Sequence, residues 1–116
     1  MLHRLPAALL ASLIAIFMIA SAVQIARSEE GIASVYGAES GKRRADGRPF
    51  HPGAIGCAHR TRKLGSIARV TNLQNGKSIA CPINDRGPYV RGRILDLSVG
   101  AARALGVRGL ARVHIQ

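Results

Sequence analysis

Glycine interrupts this sequence from residue 31 onward about twice as often as in an average protein, and this limits the length of any regular element. All 13 glycines lie there, together with only three aromatic residues, Tyr36, Phe50 and Tyr89. Few aromatic residues indicate a modest core. The 116-residue chain therefore has room for one small domain, which excludes a coiled coil, a large α/β enzyme and a multi-pass membrane protein.

The first 22 residues have the pattern of a secretory signal peptide. The basic residues His3 and Arg4 precede an apolar run over residues 5–20, which leads into an Ala-Ser-Ala site ending at Ala22. We expect cleavage near Ala22 and export to the periplasm or cell envelope, without lipid attachment, because no cysteine lies near the site. The alternative is an uncleaved membrane anchor, since the run approaches the length that spans a bilayer.

The charge of the chain is strongly positive, with 17 Lys and Arg against 6 Asp and Glu and a net charge of +11. In an exported protein this charge favours anionic wall polymers or membrane surfaces as partners, and no nucleic acid. The basic residues are scattered along the chain, so two interpretations remain open. They form either a solvated basic surface or a stripe that faces the substrate.

Cys57 and Cys81 are the two cysteines of the chain. An even number of cysteines in a small exported domain predicts one disulfide bond. Two free buried thiols are the alternative.

The apolar pattern predicts an all-β fold: six short strands that form a small closed barrel, with one short helix. A polar leader over residues 23–30 precedes the first strand. Asn75 and Gly76 predict a two-residue hairpin loop. Ser98 or Asp96 is expected to cap the helix, which ends at Gly106. The predicted strands cover residues 31–37, 54–59, 67–73, 77–83, 93–95 and 111–115, and the helix covers residues 99–105.

Carboxylates are scarce in the predicted domain, and this narrows the search for chemistry. Asp85 stands on a predicted rigid turn before Gly87 and Pro88, where it either faces a groove or only stabilises the turn. Asp96 is either a helix cap or a second carboxylate in the groove. The histidines show no metal-ligand spacing, and neither a metal nor a cofactor is expected.

His59 and Asp85 follow Cys57 and Cys81 by two and four residues. In extended strands, each therefore shares a face with its cysteine. A disulfide between the two cysteines could thus bring His59 near Asp85, although the direction of the strands is open.

Six segments, in this order, resemble the rare lipoprotein A (RlpA) family. The resemblance covers residues 31–116, and the order of the segments makes it more specific than any one of them. The segments are GIASVYG at 31–37, ADGRPF at 45–50, AHRT at 58–61, VTNLQNG at 70–76, INDRGPYV at 83–90 and GRILDLS at 92–98.

This resemblance implies a six-stranded double-psi β-barrel, related in fold to expansins, and a lytic transglycosylase that cuts peptidoglycan glycan strands lacking stem peptides. Asp85 matches the catalytic acid of the family, and His59 matches its functional histidine. Arg48 departs from the family, which often has Glu there, and Val35 stands where an aromatic residue is usual. The residues expected to bind substrate are Asn84, Arg86, Tyr36, Arg48 and Asp96.

The family mechanism implies that protonated Asp85 gives its proton to the glycosidic oxygen and then accepts one from the C6 hydroxyl, which closes a 1,6-anhydro ring. His59 would hydrogen-bond Asp85 or position the sugar. The main alternative is a non-catalytic, expansin-like barrel that binds peptidoglycan; a basic antimicrobial module is a weaker one. We expect a monomer that needs a partner for recruitment to the division septum.

Overall fold

The computed structural model describes residues 28–36, 44–49 and 51–116. The predicted signal peptide, most of the predicted leader and Phe50 lie outside these residues. Within the described ranges, no helix has the length and apolar character needed to cross a membrane. The elements are β1 (Glu29–Val35), β2 (Cys57–Ala58), β3 (Ile67–Asn72), β4 (Ser78–Asp85), β5 (Arg93–Leu97), α1 (Val99–Leu105) and β6 (Ala111–Ile115).

The six strands close into a barrel in the order β1-β5-β2-β4-β3-β6. The pairs β1–β5 and β2–β4 are parallel, and the other four pairs are antiparallel. Closure gives every strand two neighbours, which removes the exposed edges of an open sheet. The predicted all-β closed barrel with one short helix is confirmed.

The core consists mainly of small and aliphatic side chains that point into the barrel. Strand β3 shows the pattern: Ala68, Val70 and Asn72 are buried, whereas Ile67 and Arg69 are exposed. Alternate residues of a strand face opposite sides of the sheet, so one side of β3 lines the interior. The largest fully buried apolar residues are Ile83, Leu95, Leu97, Leu105, Ile115, Val70 and Val113.

Cys57 and Cys81 form a disulfide bond with their Cα atoms 6.0 Å apart, as predicted. Both cysteines are fully buried, and the bond joins β2 to β4. Strand β2 has only two residues, but it pairs with β4 on one side and β5 on the other. The disulfide therefore fixes a very short strand at the point where Asp85 ends β4.

The helix boundaries agree with the prediction, but only one of the two candidate caps is correct. Ser98 caps α1 through its Oγ atom, which accepts a hydrogen bond of 3.1 Å from Ala101 N. Asp96 does not cap the helix, because it lies inside β5 in register with Ser34 and Ala58. Gly106 ends the helix in the left-handed conformation, with φ of 70°.

The loop between β3 and β4 covers residues 73–77 and is therefore longer than the predicted two-residue loop. A hydrogen bond of 2.8 Å, which Asn72 N donates to Lys77 O, closes this loop. Asn75 does not take a positive φ as a two-residue hairpin requires; within the described residues only glycines do. Its side chain instead donates to Leu105 O at the end of α1 over 2.9 Å, which ties this loop to the helix.

Strand β1 begins earlier than the sequence pattern predicts. Glu29 and Glu30, assigned to the polar leader, pair with Ile115 and His114 of β6. The predicted end of the leader at residue 30 is therefore wrong. Two charged residues in a row do not show the apolar alternation of a strand, and the partner strand β6 lies at the other end of the chain. Strand β2 is shorter than predicted, and β4 and β5 extend by two residues each, to Asp85 and Leu97.

Candidate active site around Asp85

Asp85 is the last residue of β4, and its half-buried carboxylate is fixed by the main chain. Its Oδ1 atom accepts hydrogen bonds from Arg86 N over 2.8 Å and from Ala45 N over 3.0 Å. The first donor is the next residue, and the second comes from a segment 40 residues earlier. Asp85 therefore does more than stabilise its own turn, because its carboxylate joins two distant segments.

Tyr36 lies next to two carboxylates of the candidate site. Burial raises the pKa of Tyr36 to about 12, and the negative charges of Asp85 and Asp96 add to this effect. Asp96 in turn accepts a hydrogen bond from the hydroxyl of Ser34 in β1. The structure thus brings Tyr36, Asp85 and Asp96 into one electrostatic neighbourhood, with the tyrosine hydroxyl neutral at physiological pH.

An open cavity of about 440 Å³ is lined by Asn84, the residue before Asp85, whereas Tyr36, Asp85 and Asp96 do not line it. Arg44 and Asp46 form an ion pair on its wall, where Arg44 Nε donates to Asp46 Oδ1 over 2.9 Å. This hydrogen bond lowers the pKa of Asp46 below its usual value. Arg48 is exposed on the same wall. The cavity is further lined by Ile55, Leu64, Gly65, Pro82 and Ile83.

His59 is buried, and both of its ring nitrogens are engaged away from the Asp85 carboxylate. Nδ1 accepts hydrogen bonds from Thr61 N over 3.1 Å and from Arg62 N over 3.0 Å. Nε2 lies 2.9 Å from Glu29 Oε1. Since Nδ1 accepts, the proton of the neutral ring is on Nε2, which donates to Glu29.

Of the two roles predicted for His59, a hydrogen bond from its ring to Asp85 is not formed in this structure. The disulfide does bring the two residues together, but through the main chain: His59 N donates to Asp85 O over 3.2 Å. Burial lowers the pKa of His59 below its usual value of 6.5, helped by Arg62 and Arg60 and opposed by Glu29.

Glu29 is the residue of this region that sequence reasoning missed. Its Oε1 accepts from His59 Nε2 and also from Arg62 Nε over 3.2 Å. These three residues line a second open cavity of about 590 Å³. The sequence pattern placed the start of this strand at Gly31, two residues after Glu29. A strand extended by two residues would have included Glu29.

Two further candidates for substrate binding, Asn84 and Arg86, lie on either side of Asp85. Asn84 is buried at 8% exposure, and within the described ranges its Oδ1 is a buried side-chain oxygen that has no hydrogen-bond partner. Arg86 is half-buried, and its guanidinium turns to the main chain of residues 59–62. No group of three His, Cys, Asp or Glu residues in the described part of the chain is placed to hold a metal ion.

The sequence matches the family model described as Lytic transglycolase over residues 28–116. A curated relative from Nostoc sp., named probable endolytic peptidoglycan transglycosylase RlpA, is 48% identical over 103 residues, which cover 84% of this chain and 27% of the relative. The endolytic peptidoglycan transglycosylase RlpA of Escherichia coli is 43% identical over 89 residues, which cover 76% of this chain and 25% of the relative. The chain thus spans about a quarter of the length of these relatives.

Solved structures show the same fold at low identity. An expansin of Clavibacter michiganensis has a TM-score of 0.59 at 20% identity, over 77% of this chain and 49% of the expansin. The Streptomyces papain inhibitor has a TM-score of 0.57 at 21% identity, over 75% of this chain and 91% of the inhibitor. The barrel is therefore a six-stranded double-psi β-barrel. Because the family model covers residues 28–116 and the two curated relatives are at least 43% identical over most of the chain, the chain belongs to the RlpA family.

Proposed function

We propose that this protein is an endolytic peptidoglycan transglycosylase in which Asp85 is the acid and base. The observation that carries the proposal is the placement of Asp85 at the end of β4, where two main-chain N–H groups fix one carboxylate oxygen in the neighbourhood of Tyr36 and Asp96, next to Asn84 on the wall of an open cavity. The names of the curated relatives support the reaction and the substrate.

The proposed reaction needs one carboxyl group. Protonated Asp85 donates its proton to the glycosidic oxygen as the bond to C1 of an N-acetylmuramic acid residue breaks. The C6 hydroxyl of the same sugar then forms the new bond to C1 and returns a proton to Asp85. The product carries a 1,6-anhydro ring, and no water is consumed. A sugar ring over Asp85 excludes water, which favours the neutral form that the first step requires.

The wall of the cavity near Asp85 offers polar contacts for the glycan. The exposed guanidinium of Arg48 on this wall is suited to sugar hydroxyl groups and to the lactyl carboxylate of a muramic acid residue that lacks its stem peptide. Tyr36 is buried and does not line this cavity, although its neutral hydroxyl lies in the electrostatic neighbourhood of Asp85. Asn84 lines the same cavity. Tyr89, which lies four residues after Asp85 and is 79% exposed, offers an apolar ring face to a pyranose.

His59 supports this site indirectly in the proposed enzyme. Both ring nitrogens are bound within the protein, so the ring holds the residues 59–62 in shape and does not transfer a proton to the sugar.

Export and a monomeric state belong to the same proposal. The disulfide supports an oxidising compartment such as the periplasm. A septal recruitment partner stays a prediction from the family resemblance. Thiol labelling of the protein in isolated periplasmic fractions tests the location, since an exported and oxidised chain stays unlabelled until it is reduced.

The reaction is tested by incubating the purified protein with amidase-stripped glycan strands and analysing the products by mass spectrometry. We expect anhydro-ended fragments from the wild type and a loss of about 100-fold or more in Asp85→Asn. Asparagine can still accept the two main-chain hydrogen bonds, so the variant removes the acid and keeps the fold. Glu30→Gln is the matched control, because Glu30 is exposed and contacts His114 outside the site.

Sedimentation with the same glycan separates the enzyme from the expansin-like alternative. Binding without anhydro-ended products in the wild type would show that the protein is a wall-binding barrel and not an enzyme. The positive charge of Arg48, at a position where the family often has Glu, would then account for the missing activity. Products that persist unchanged in Asp85→Asn would remove Asp85 from the mechanism.

A further inference from the structure

Arg86 holds two parts of the protein together at the candidate site. Its side-chain Nη1 donates to His59 O over 3.2 Å and to Arg62 O over 2.5 Å. Its main-chain N–H donates to Asp85 Oδ1 over 2.8 Å. Arg86 therefore binds a neighbouring turn with its side chain and the candidate catalytic carboxylate with its main chain.

The neighbouring turn, residues 59–62, is shaped by the His59 ring. Nδ1 accepts from Thr61 N and Arg62 N, which folds the main chain around the ring. As a result, the carbonyl groups of His59 and Arg62 converge on the Arg86 guanidinium. Hydrogen bonds from a charged donor are stronger than those between neutral groups, so this contact constrains the Arg86 side chain.

Glu29 fixes both ends of the same turn from strand β1. Its Oε1 accepts from His59 Nε2 over 2.9 Å and from Arg62 Nε over 3.2 Å. The two residues whose side chains share Glu29 are the same two whose carbonyl groups bind Arg86. A continuous set of hydrogen bonds thus runs from Glu29 through the turn to Arg86 and on to the Asp85 carboxylate.

The direction of the Arg86 side chain argues against a direct contact with substrate. Both protons of Nη1 are directed to carbonyl oxygens of the turn at residues 59–62, so this nitrogen has no proton left to donate to a glycan. Arg48, by contrast, is exposed on the wall of the cavity beside Asp85.

We propose that Arg86 is a positioning residue for Asp85, and that Glu29 acts through His59 and Arg62 to hold Arg86 in place. This inference rests on the proposed function of Asp85 as acid and base. It assigns to the Glu29 side of the barrel a role in catalysis without any contact with the glycan. A shift of about 1 Å in a reacting group can lower a rate by about 100-fold. A small displacement of the turn, passed on to Asp85 through Arg86, would therefore lower the rate of the reaction.

The kinetic test compares variants of Arg86 at saturating and limiting concentrations of stripped glycan. Arg86→Met keeps the length of the side chain and removes its donors, whereas Arg86→Lys keeps a cationic donor. We expect Arg86→Met to lower kcat roughly 10- to 100-fold with KM within about threefold of the wild type. Arg86→Lys should recover most of kcat. Arg108→Met, on the exposed loop before β6, is the matched control.

A double-variant cycle tests the contribution of Glu29. We expect Glu29→Leu to lower kcat less than Arg86→Met does. The kcat of the double variant should lie within about twofold of that of Arg86→Met, because both changes act on the same contact. Additive losses would remove Glu29 from the inference. A raised KM with unchanged kcat in Arg86→Met would make Arg86 a substrate-binding residue, and an unchanged rate would leave it without either role.

A measurement without substrate separates this inference from the proposed function. Ala45 N donates to Asp85 Oδ1, so the NMR shift of the Ala45 amide proton reports where that carboxylate lies. We expect Arg86→Met to move this shift at least half as far as Asp85→Ala does, while the amide of Val70 in β3 stays in place. An unmoved Ala45 amide would overturn the inference even if the wild type cleaves glycan. A moved amide in a protein that makes no anhydro ends would instead retain the positioning and reject the enzyme.

Discussion

A histidine can exchange a proton with a carboxylate only if one of its ring nitrogens faces that group, and in His59 both nitrogens face elsewhere. Nδ1 accepts from two main-chain N–H groups, and Nε2 donates to Glu29. This arrangement requires the neutral ring, and burial lowers the pKa of His59 in the same sense. At the scale of single residues, His59 is therefore a pH-sensitive part of the framework around Asp85.

The stability of the protein should fall as the pH is lowered through the range where His59 gains a proton. The pKa of His59 is lowered in the fold relative to its usual 6.5, so the unfolded chain binds the proton more readily. The stabilisation is then complete above about pH 6.5 and decreases as the pH falls below it. We expect urea unfolding at pH 5 to show a lower free energy than at pH 7.5.

His59→Asn is the control for that measurement. The asparagine side chain can accept from the N–H groups of Thr61 and Arg62, but it does not titrate. We expect the loss of stability between pH 7.5 and pH 5 to be smaller in this variant than in the wild type. An equal loss in both proteins would assign the pH dependence to other groups.

The ionisation of Tyr36 offers a second measurement at this scale. The chain has two tyrosines, so Tyr89→Phe leaves Tyr36 as the one that absorbs on ionisation. Burial and the charges of Asp85 and Asp96 raise the pKa of Tyr36 to about 12. We expect an ultraviolet titration of the variant to have its midpoint near 12, with stability complete below pH 10 and lost as the pH rises through the folded pKa. A midpoint near 10 would show that Tyr36 is not buried beside the carboxylates.

At the scale of elements, the shortest strand, β2, is constrained by close contacts on both sides. Strand β2 has two residues, with a disulfide on Cys57 and the turn of residues 59–62 directly after it. Gly56 precedes it, and a Cβ atom there would lie 2.4 Å from Nδ2 of the buried Asn84. Close contact between Gly56 and Asn84 therefore sets the position of the end of β4, where Asp85 follows.

Gly56→Ala should destabilise the protein and disturb the site, because the new methyl group has to displace Asn84. We expect a loss of about 1–3 kcal/mol in the free energy of unfolding, typical of overpacking in a core. Gly53→Ala is the matched control, since a Cβ atom at Gly53 meets nothing within 4 Å. The cost should shrink when Gly56→Ala is made in an Asn84→Ala background. Equal stability of the two alanine variants would contradict the close contact.

At the scale of the whole molecule, barrel closure assembles the site from segments far apart in the chain. Strand β1 brings Glu29 to His59, and the parallel pair β2–β4 brings His59 to Asp85. The segment of residues 44–49 adds the Ala45 N–H group. No two strands that follow each other along the sequence bring all of these residues together, so the site depends on the closed barrel.

The disulfide should contribute to the stability of the entire barrel, since it joins residues 24 apart in sequence. A bond that closes a loop of this size restricts the unfolded chain and contributes about 3 kcal/mol. We expect a double variant, Cys57→Ala with Cys81→Ala, to lose about this much free energy of unfolding in urea. Adding reductant should weaken the wild type and leave the double variant unchanged. Unfolding of the variant at the same urea concentration as the oxidised wild type would contradict this role.

The sequence by itself determined much of the architecture. The periodicity and the turn residues predict the barrel class, the helix over residues 99–105 with its Ser98 cap, and the final strand, because these features depend on neighbours within a few residues. The cysteine count in a small domain that looked exported predicts the disulfide. The order of six short segments predicts the family and, through it, the importance of Asp85.

Tertiary structure alone decided which side chains meet. Glu29 looked like part of a leader, because a single strand of charged residues shows no pattern until its partner β6, over 80 residues later, is beside it. The same holds for His59, for which the sequence left a bond to Asp85 and a contact with the sugar open, and whose ring is held by Glu29 and by its own turn. It also holds for Arg86, whose guanidinium faces two carbonyl oxygens. Local pattern specifies an element, but the direction of a side chain depends on the polar groups that closure of the barrel brings within hydrogen-bond distance.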